Sequence, residues 1–111
     1  MLEKQLSPLI DEEGKKGLMT IFFDRSKETN DKVQFGHIVF NPGDRTPKEG
    51  YGVHAQDEYS YIIKGTAVCV INDIEYRSGP GSAMFIPAGE KHYSFNDGEE
   101  PCEIIWMLID K

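Results

Sequence analysis

The sequence is short of several things at once, and each shortage excludes something. It has two cysteines, one tryptophan and three histidines among 111 residues. Cys69 and Cys102 stand far apart in apolar stretches with no CxxC pair. No disulfide framework is therefore expected, and both are read as buried thiols in a reducing compartment; a bridge between neighbouring strands is not signalled. No apolar run exceeds Ile104–Ile109, far below the roughly 20 residues that span a bilayer, so a membrane partner is not expected. The start, Met1-Leu2-Glu3-Lys4, has neither a basic n-region nor an apolar h-region, and a cytoplasmic location is expected. Lysine and arginine are outnumbered, 12 against 19 acidic residues for a net charge of −7, and form no cluster. That argues against nucleic acid as a partner. Long amphipathic helices are lacking too, since no window keeps the i, i+3, i+4, i+7 apolar spacing beyond about two turns.

What remains is an ordinary globular balance, 39% hydrophobic and 28% charged, in a chain long enough for one domain and one core. Short β-rich runs cover Leu18–Phe23, Val33–Phe40, Tyr59–Ile63, Thr66–Ile71, Ala83–Ile86, Tyr93–Phe95 and Ile104–Ile109. Turn residues separate them: Asn41-Pro42-Gly43-Asp44, Asn72-Asp73, Ser78-Gly79-Pro80-Gly81, Pro87-Ala88-Gly89 and Asn96-Asp97-Gly98. Asn72-Asp73 suits a tight hairpin because both residues tolerate positive φ. Regular short strands with such turns indicate an all-β sandwich or barrel. Residues 17–111 are read as that single domain. Residues 1–16 are a mixed N-terminal segment whose Leu2, Leu6, Leu9 and Ile10 are expected to dock somewhere.

The three histidines are His37, His54 and His92. If Gly52–Glu58 is extended, alternation puts residues 52, 54, 56 and 58 on one face. His54, Gln56 and Glu58 then project together, an imidazole and a carboxylate that can begin a metal site, with Gln56 as a candidate neutral ligand. A Pro-x-Gly turn at Pro87–Gly89 interrupts a strand and sets His92 on the next one. His37 shares a face with Phe35 and Val39, which favours a satisfied packing or pocket-wall residue over a ligand. Asn96 is read as capping the turn before Asp97-Gly98. Tyr93 falls off the His92 face and is read as packing. Gly50-Tyr51-Gly52 imitates the start of a dinucleotide fingerprint, but no strand–turn–helix unit surrounds it. Neither a Ser-His-Asp arrangement nor a Cys-His pair stands out for nucleophilic catalysis.

Gly81, Pro87, Gly89, His92 and Asn96 fit the spacing G-x5-P-x-G-x2-H-x3-N without a gap. The sequence thereby resembles a single-domain cupin. His54, Glu58 and Gly65 fit the second His, the Glu and the closing Gly of the family's first motif, and Gly52 stands where that motif has its first His. The resemblance implies a cupin-type antiparallel β-barrel, the jelly-roll-like double-stranded β-helix. It also implies a divalent transition metal held by His54, Glu58 and His92, with Fe, Mn, Ni, Zn and Cu not distinguished by ligand type. A homodimer through sheet-to-sheet packing is implied as well, with residues 1–16 exchanged as a strand between partners. The pocket is expected to be lined by Tyr51, Gly52, His37, Ser60, Ile62 and Trp106. Two functions are consistent with such a site: a metal-dependent enzyme, such as a dioxygenase or isomerase, acting on a small oxygen-rich molecule, or a non-catalytic module that binds a sugar or organic acid.

Overall fold

A computed structural model describes residues 1–4, 6 and 19–111. Among the described residues nine strands succeed one another in order: β1 Met19–Phe23, β2 Val33–Phe40, β3 Arg45–Thr46, β4 Gln56–Lys64, β5 Ala67–Ile71, β6 Ile74–Ser78, β7 Ala83–Ile86, β8 His92–Phe95 and β9 Cys102–Asp110. They form a five-stranded sheet of order β1-β2-β9-β4-β7 and a four-stranded sheet of order β3-β8-β5-β6. Every pairing is antiparallel. The described residues contain no helix, and so none long and apolar enough to cross a membrane.

The last strand organises the larger sheet because it is apolar on both faces and so can be covered on both sides. Ile104 of β9 pairs with Ile38 of β2 on one flank and Ile62 of β4 on the other, and Trp106 likewise lies between Gly36 and Ser60. Alternation sends Cys102, Ile104 and Trp106 inward, where they meet Ile38, Phe40, Ile62 and Ala67 in one buried cluster. Each large apolar side chain removed from water there stabilises the fold by about 1.5–3 kcal/mol. Cys102 belongs to this cluster, fully buried, and burial pushes its thiol up to about 11. Both cysteines are free.

The turn chemistry does what the residues suggest. Asn72 and Asp73 take φ of 50° and 65° and close the β5–β6 hairpin with Ile71 opposite Ile74. Gly65, at φ +79°, ends β4 where a Cβ would overlap the backbone of Pro101 and Cys102. Asn96 does more than cap its turn. Its Oδ1 accepts the Gly98 amide, while its amide group donates to the carbonyls of Phe40 and Glu100 and ties three segments together. Two strands lie outside the runs expected from sequence. β6 alternates apolar and charged residues yet is exposed almost throughout, and β3 is only two residues long, so neither buries a hydrophobic face. At the other end, Met1 and Leu2 border a groove with Phe23, Phe35 and Met107 on the outer side of the larger sheet. Leu9, Ile10, Leu18 and most of the segment expected to exchange between partners lie outside the described residues.

Candidate metal centre

The two histidines reach one point from opposite sheets. His92 opens β8 in the smaller sheet, whereas His54 lies just before β4 in the larger one. The expectation of one extended face from 52 to 58 needs correction here. β4 begins only at Gln56, and Gly52 instead pairs with His92 alongside β8 of the smaller sheet, its amide donating to the His92 carbonyl at 2.7 Å and its carbonyl accepting at 3.0 Å. The intervening chain is drawn out of strand geometry by the second turn: the Gly89 amide donates to the His54 carbonyl, and the Ala88 amide to the Asp57 carboxylate, both at 2.9 Å. Pro87-Ala88-Gly89 thus holds the backbone where the chain enters β4, just ahead of Glu58.

Each ring is then oriented by a nearby carbonyl. His54 Nδ1–H donates to Gln56 O at 2.9 Å, and His92 Nδ1–H donates to Glu90 O at 3.0 Å. Both Nε2 atoms are thereby left as lone-pair donors, the arrangement that fixes tautomer and direction in metal-binding imidazoles. The rings stand nearly perpendicular with centroids 4.9 Å apart. One donor atom each from His54, Glu58 and His92 lies within 4.8 Å of the others. Bonds of about 2.0–2.2 Å to a single ion would draw these atoms to about 3.0–3.6 Å from one another. His54 Nε2 is buried and has no hydrogen-bond partner. A buried acceptor left unpaired costs about 1–3 kcal/mol, and a cation at that point removes the cost. Burial pushes the Glu58 carboxyl above the ordinary carboxylate range, while the two imidazoles oppose the rise.

The cluster opens into a cavity of about 390 Å³ between the sheets. Gly52, Ser60 and Trp106 line it as expected. The other three expected lining residues do not. Tyr51 is half exposed, donates its hydroxyl to Asp73 at 3.1 Å and packs edge-on against Tyr93 outside the smaller sheet. His37 sits on the opposite face of β2 from the cavity-lining Ile38 and Phe40. There its Nε2 meets Glu103 at 2.7 Å and its ring meets Phe22, so of the two roles its face left open it takes packing and not the pocket wall. Ile62 shares the Glu58 face but is fully buried in the core. Gln56, the candidate fourth ligand, contributes its carbonyl to His54 and does not line the cavity. Gly52 keeps ordinary negative-side φ, and a Cβ there would meet only the His92 carbonyl and Pro47, at 3.6 Å.

Sequence reasoning missed Cys69, Met84 and Ser94. Cys69 and Ser94 are paired across β5 and β8 and both face the cavity. Burial raises the Cys69 thiol, with the Ser94 hydroxyl opposing. The alternation Ala67–Cys69 signals a shared face, but which face meets the histidines depends on inter-sheet register, which no local pattern encodes.

Comparison with known proteins agrees with this architecture. The cupin-domain family model matches residues 36–108. The chain belongs to the cupin family. Over 73 residues, 66% of this chain and 48% of the relative, it is 29% identical to a tetracenomycin polyketide synthase protein, TcmJ, of Streptomyces glaucescens. This cupin therefore spans about half the length of that relative. Among solved structures it is similar to a predicted oxalate decarboxylase of Thermotoga maritima, with a TM-score of 0.74 and 23% identity over 84% of this chain and 79% of the other. It is also similar to the polyketide cyclase RemF of Streptomyces resistomycificus, with a TM-score of 0.70 and 21% identity over 84% and 64%. At these identities the structural neighbours establish the cupin fold.

Proposed function

We propose that this cupin is a metal-dependent enzyme in which His54, Glu58 and His92 hold one divalent transition metal and a small molecule is bound through its oxygens at the same place. The observation that carries the reading is the buried, unpartnered His54 Nε2 facing Glu58 and His92. Such a metal supplies Lewis-acid polarisation of a bound oxygen and, for Fe, Mn or Cu, redox chemistry. The chain's own contribution is to fix both imidazoles through the Gln56 and Glu90 carbonyls, to present one carboxylate, and to surround the substrate with a dry wall. Two imidazoles and one carboxylate leave coordination positions open, and Gly52 puts no side chain into them. Relatives named for polyketide chemistry favour a carbonyl-bearing carbon skeleton as the substrate.

The experiment is a metal titration of chelator-stripped protein, followed by turnover assays on carbonyl compounds with each loaded form. One site per chain is expected. Affinity should fall as the pH is lowered, because both imidazoles must be unprotonated and Glu58 ionised to bind, and burial brings the Glu58 share in above the ordinary carboxylate range. The open position at Gly52 equally suits a binding module without turnover. That second reading is adopted if the loaded protein binds its small molecule and recovers it unchanged.

A further inference from the structure

The cavity wall restricts its occupant more narrowly than the metal cluster does, a restriction that rests on the reading that His54, Glu58 and His92 bind a metal. Among the described residues, no lysine or arginine lines the cavity. Arg45, next in sequence to the lining residue Thr46, is turned to the outside. Its guanidinium lies 4.2 Å from the Tyr93 ring centroid and donates to the carbonyls of Pro47 and Gly50. Around the cluster the wall is mostly apolar, built from Ile38, Phe40, Met84, Ile104, Trp106 and Leu108.

The uncharged polar groups on that wall are few and partly committed. The Gln34 side-chain amide donates to Asp24 at 3.0 Å, and Ser94 lies opposite Cys69 across β5 and β8. The Thr46, Ser60 and Ser94 hydroxyls remain, and the buried, unpartnered Trp106 Nε1–H is one further donor. A polyhydroxylated occupant would bury more hydroxyls than these can satisfy. Charge leads to the same restriction. A divalent ion beside the Glu58 carboxylate leaves one net positive charge, which balances a single enolate, phenolate or carboxylate. A second carboxylate would bring a further negative charge that no lysine or arginine on the wall balances. At about 390 Å³ the cavity sits near the lower end of the range of roughly 300–1,000 Å³ usual for small-molecule sites.

We propose that the occupant is a small molecule with an uncharged, mostly apolar body whose oxygens are gathered at one end, as in a β-diketone or an aryl hydroxyketone, and not a sugar or a dicarboxylate. The apolar body lies along Met84, Leu108 and Trp106, and the oxygen-bearing end faces His54, Glu58 and His92.

Isothermal titration of the zinc-loaded protein with benzoylacetone, oxalate and fructose tests this, with zinc content checked after each run. Benzoylacetone should bind at least tenfold more tightly than oxalate, and fructose should give no saturable heat. Met84→Lys places a cation on the wall without touching a ligand. It should weaken benzoylacetone and strengthen oxalate, each several-fold, with zinc content unchanged. Should that variant not fold, the ranking of the three ligands on the unaltered protein decides alone. Oxalate or fructose binding more tightly than benzoylacetone overturns the proposal, and so does the absence of benzoylacetone binding. Equal benzoylacetone binding to zinc-loaded and chelator-stripped protein upholds the apolar occupant while overturning the metal reading beneath it.

Discussion

His37 and His92 are chemically the same residue with different environments, and replacing each by alanine should separate the two roles. His37→Ala removes a buried ring and strips the partly exposed Glu103 of its 2.7 Å partner, and should lower stability by about 1–3 kcal/mol while leaving metal content unchanged. His92→Ala should abolish or reduce metal content at least tenfold with a smaller loss of stability. Thermal midpoint and metal content on both variants check this together. Gly52 carries the second prediction at this scale. Because its φ is not left-handed and a Cβ finds ordinary contacts, Gly52→His restores the family residue without backbone strain. Metal should bind about tenfold more tightly or better, a gain of about 1.4 kcal/mol, with the thermal midpoint unchanged or raised. Unchanged metal affinity in a well-folded variant would show that the position does not face the ion. The convergence of His54, Glu58 and His92 was legible from residue types and motif spacing, since each stands at a motif position. The roles of Tyr51 and His37 were not, because which side of a strand faces the cavity depends on pairing partners remote in sequence.

Among the elements, β2 and β9 approach closely enough at Gly36 for a single substitution to disturb the contact. Gly36 lies opposite Trp106, and a Cβ at that position would overlap the indole and the Thr20 carbonyl of β1. Gly36→Ala should therefore displace the ring or β1 and cost about 1–3 kcal/mol through overpacking. Denaturant midpoints measure the loss, and the chain's single tryptophan makes the shift visible in fluorescence. β2, β7 and the β5–β6 turn were legible because hydrophobic alternation and turn residues coincide there. β4 is longer than its hydrophobic run, since Gln56, Asp57 and Glu58 are polar yet complete the ladder with β9. β6 escaped for the reverse reason: it is held by hairpin closure from β5 rather than by burial. Pattern reading finds strands that bury a face, and it passes over those recruited by backbone pairing alone.

For the molecule as a whole, the outer face of the larger sheet carries Tyr59, Tyr61, Ile63 and Phe85, each more than 40% exposed. Tyr59 and Phe85 are paired across β4 and β7 with ring centroids 4.9 Å apart. In a chain of net charge −7, an uncharged face of this kind is where a second copy can approach with least repulsion. A homodimer is the expected state, and light scattering at micromolar concentration should return twice the 12.6 kDa chain mass. Tyr61→Lys should shift that mass towards the monomer, and a monomeric mass for the unaltered protein would refute the dimer. The central claim, a metal held by His54, Glu58 and His92, has a more direct test than any activity assay. Elemental analysis of protein purified without chelator or affinity tag, alongside His92→Ala prepared identically, should find close to one divalent transition metal per chain in the first and little in the second. No metal in either preparation, with no uptake on titration, would contradict the account.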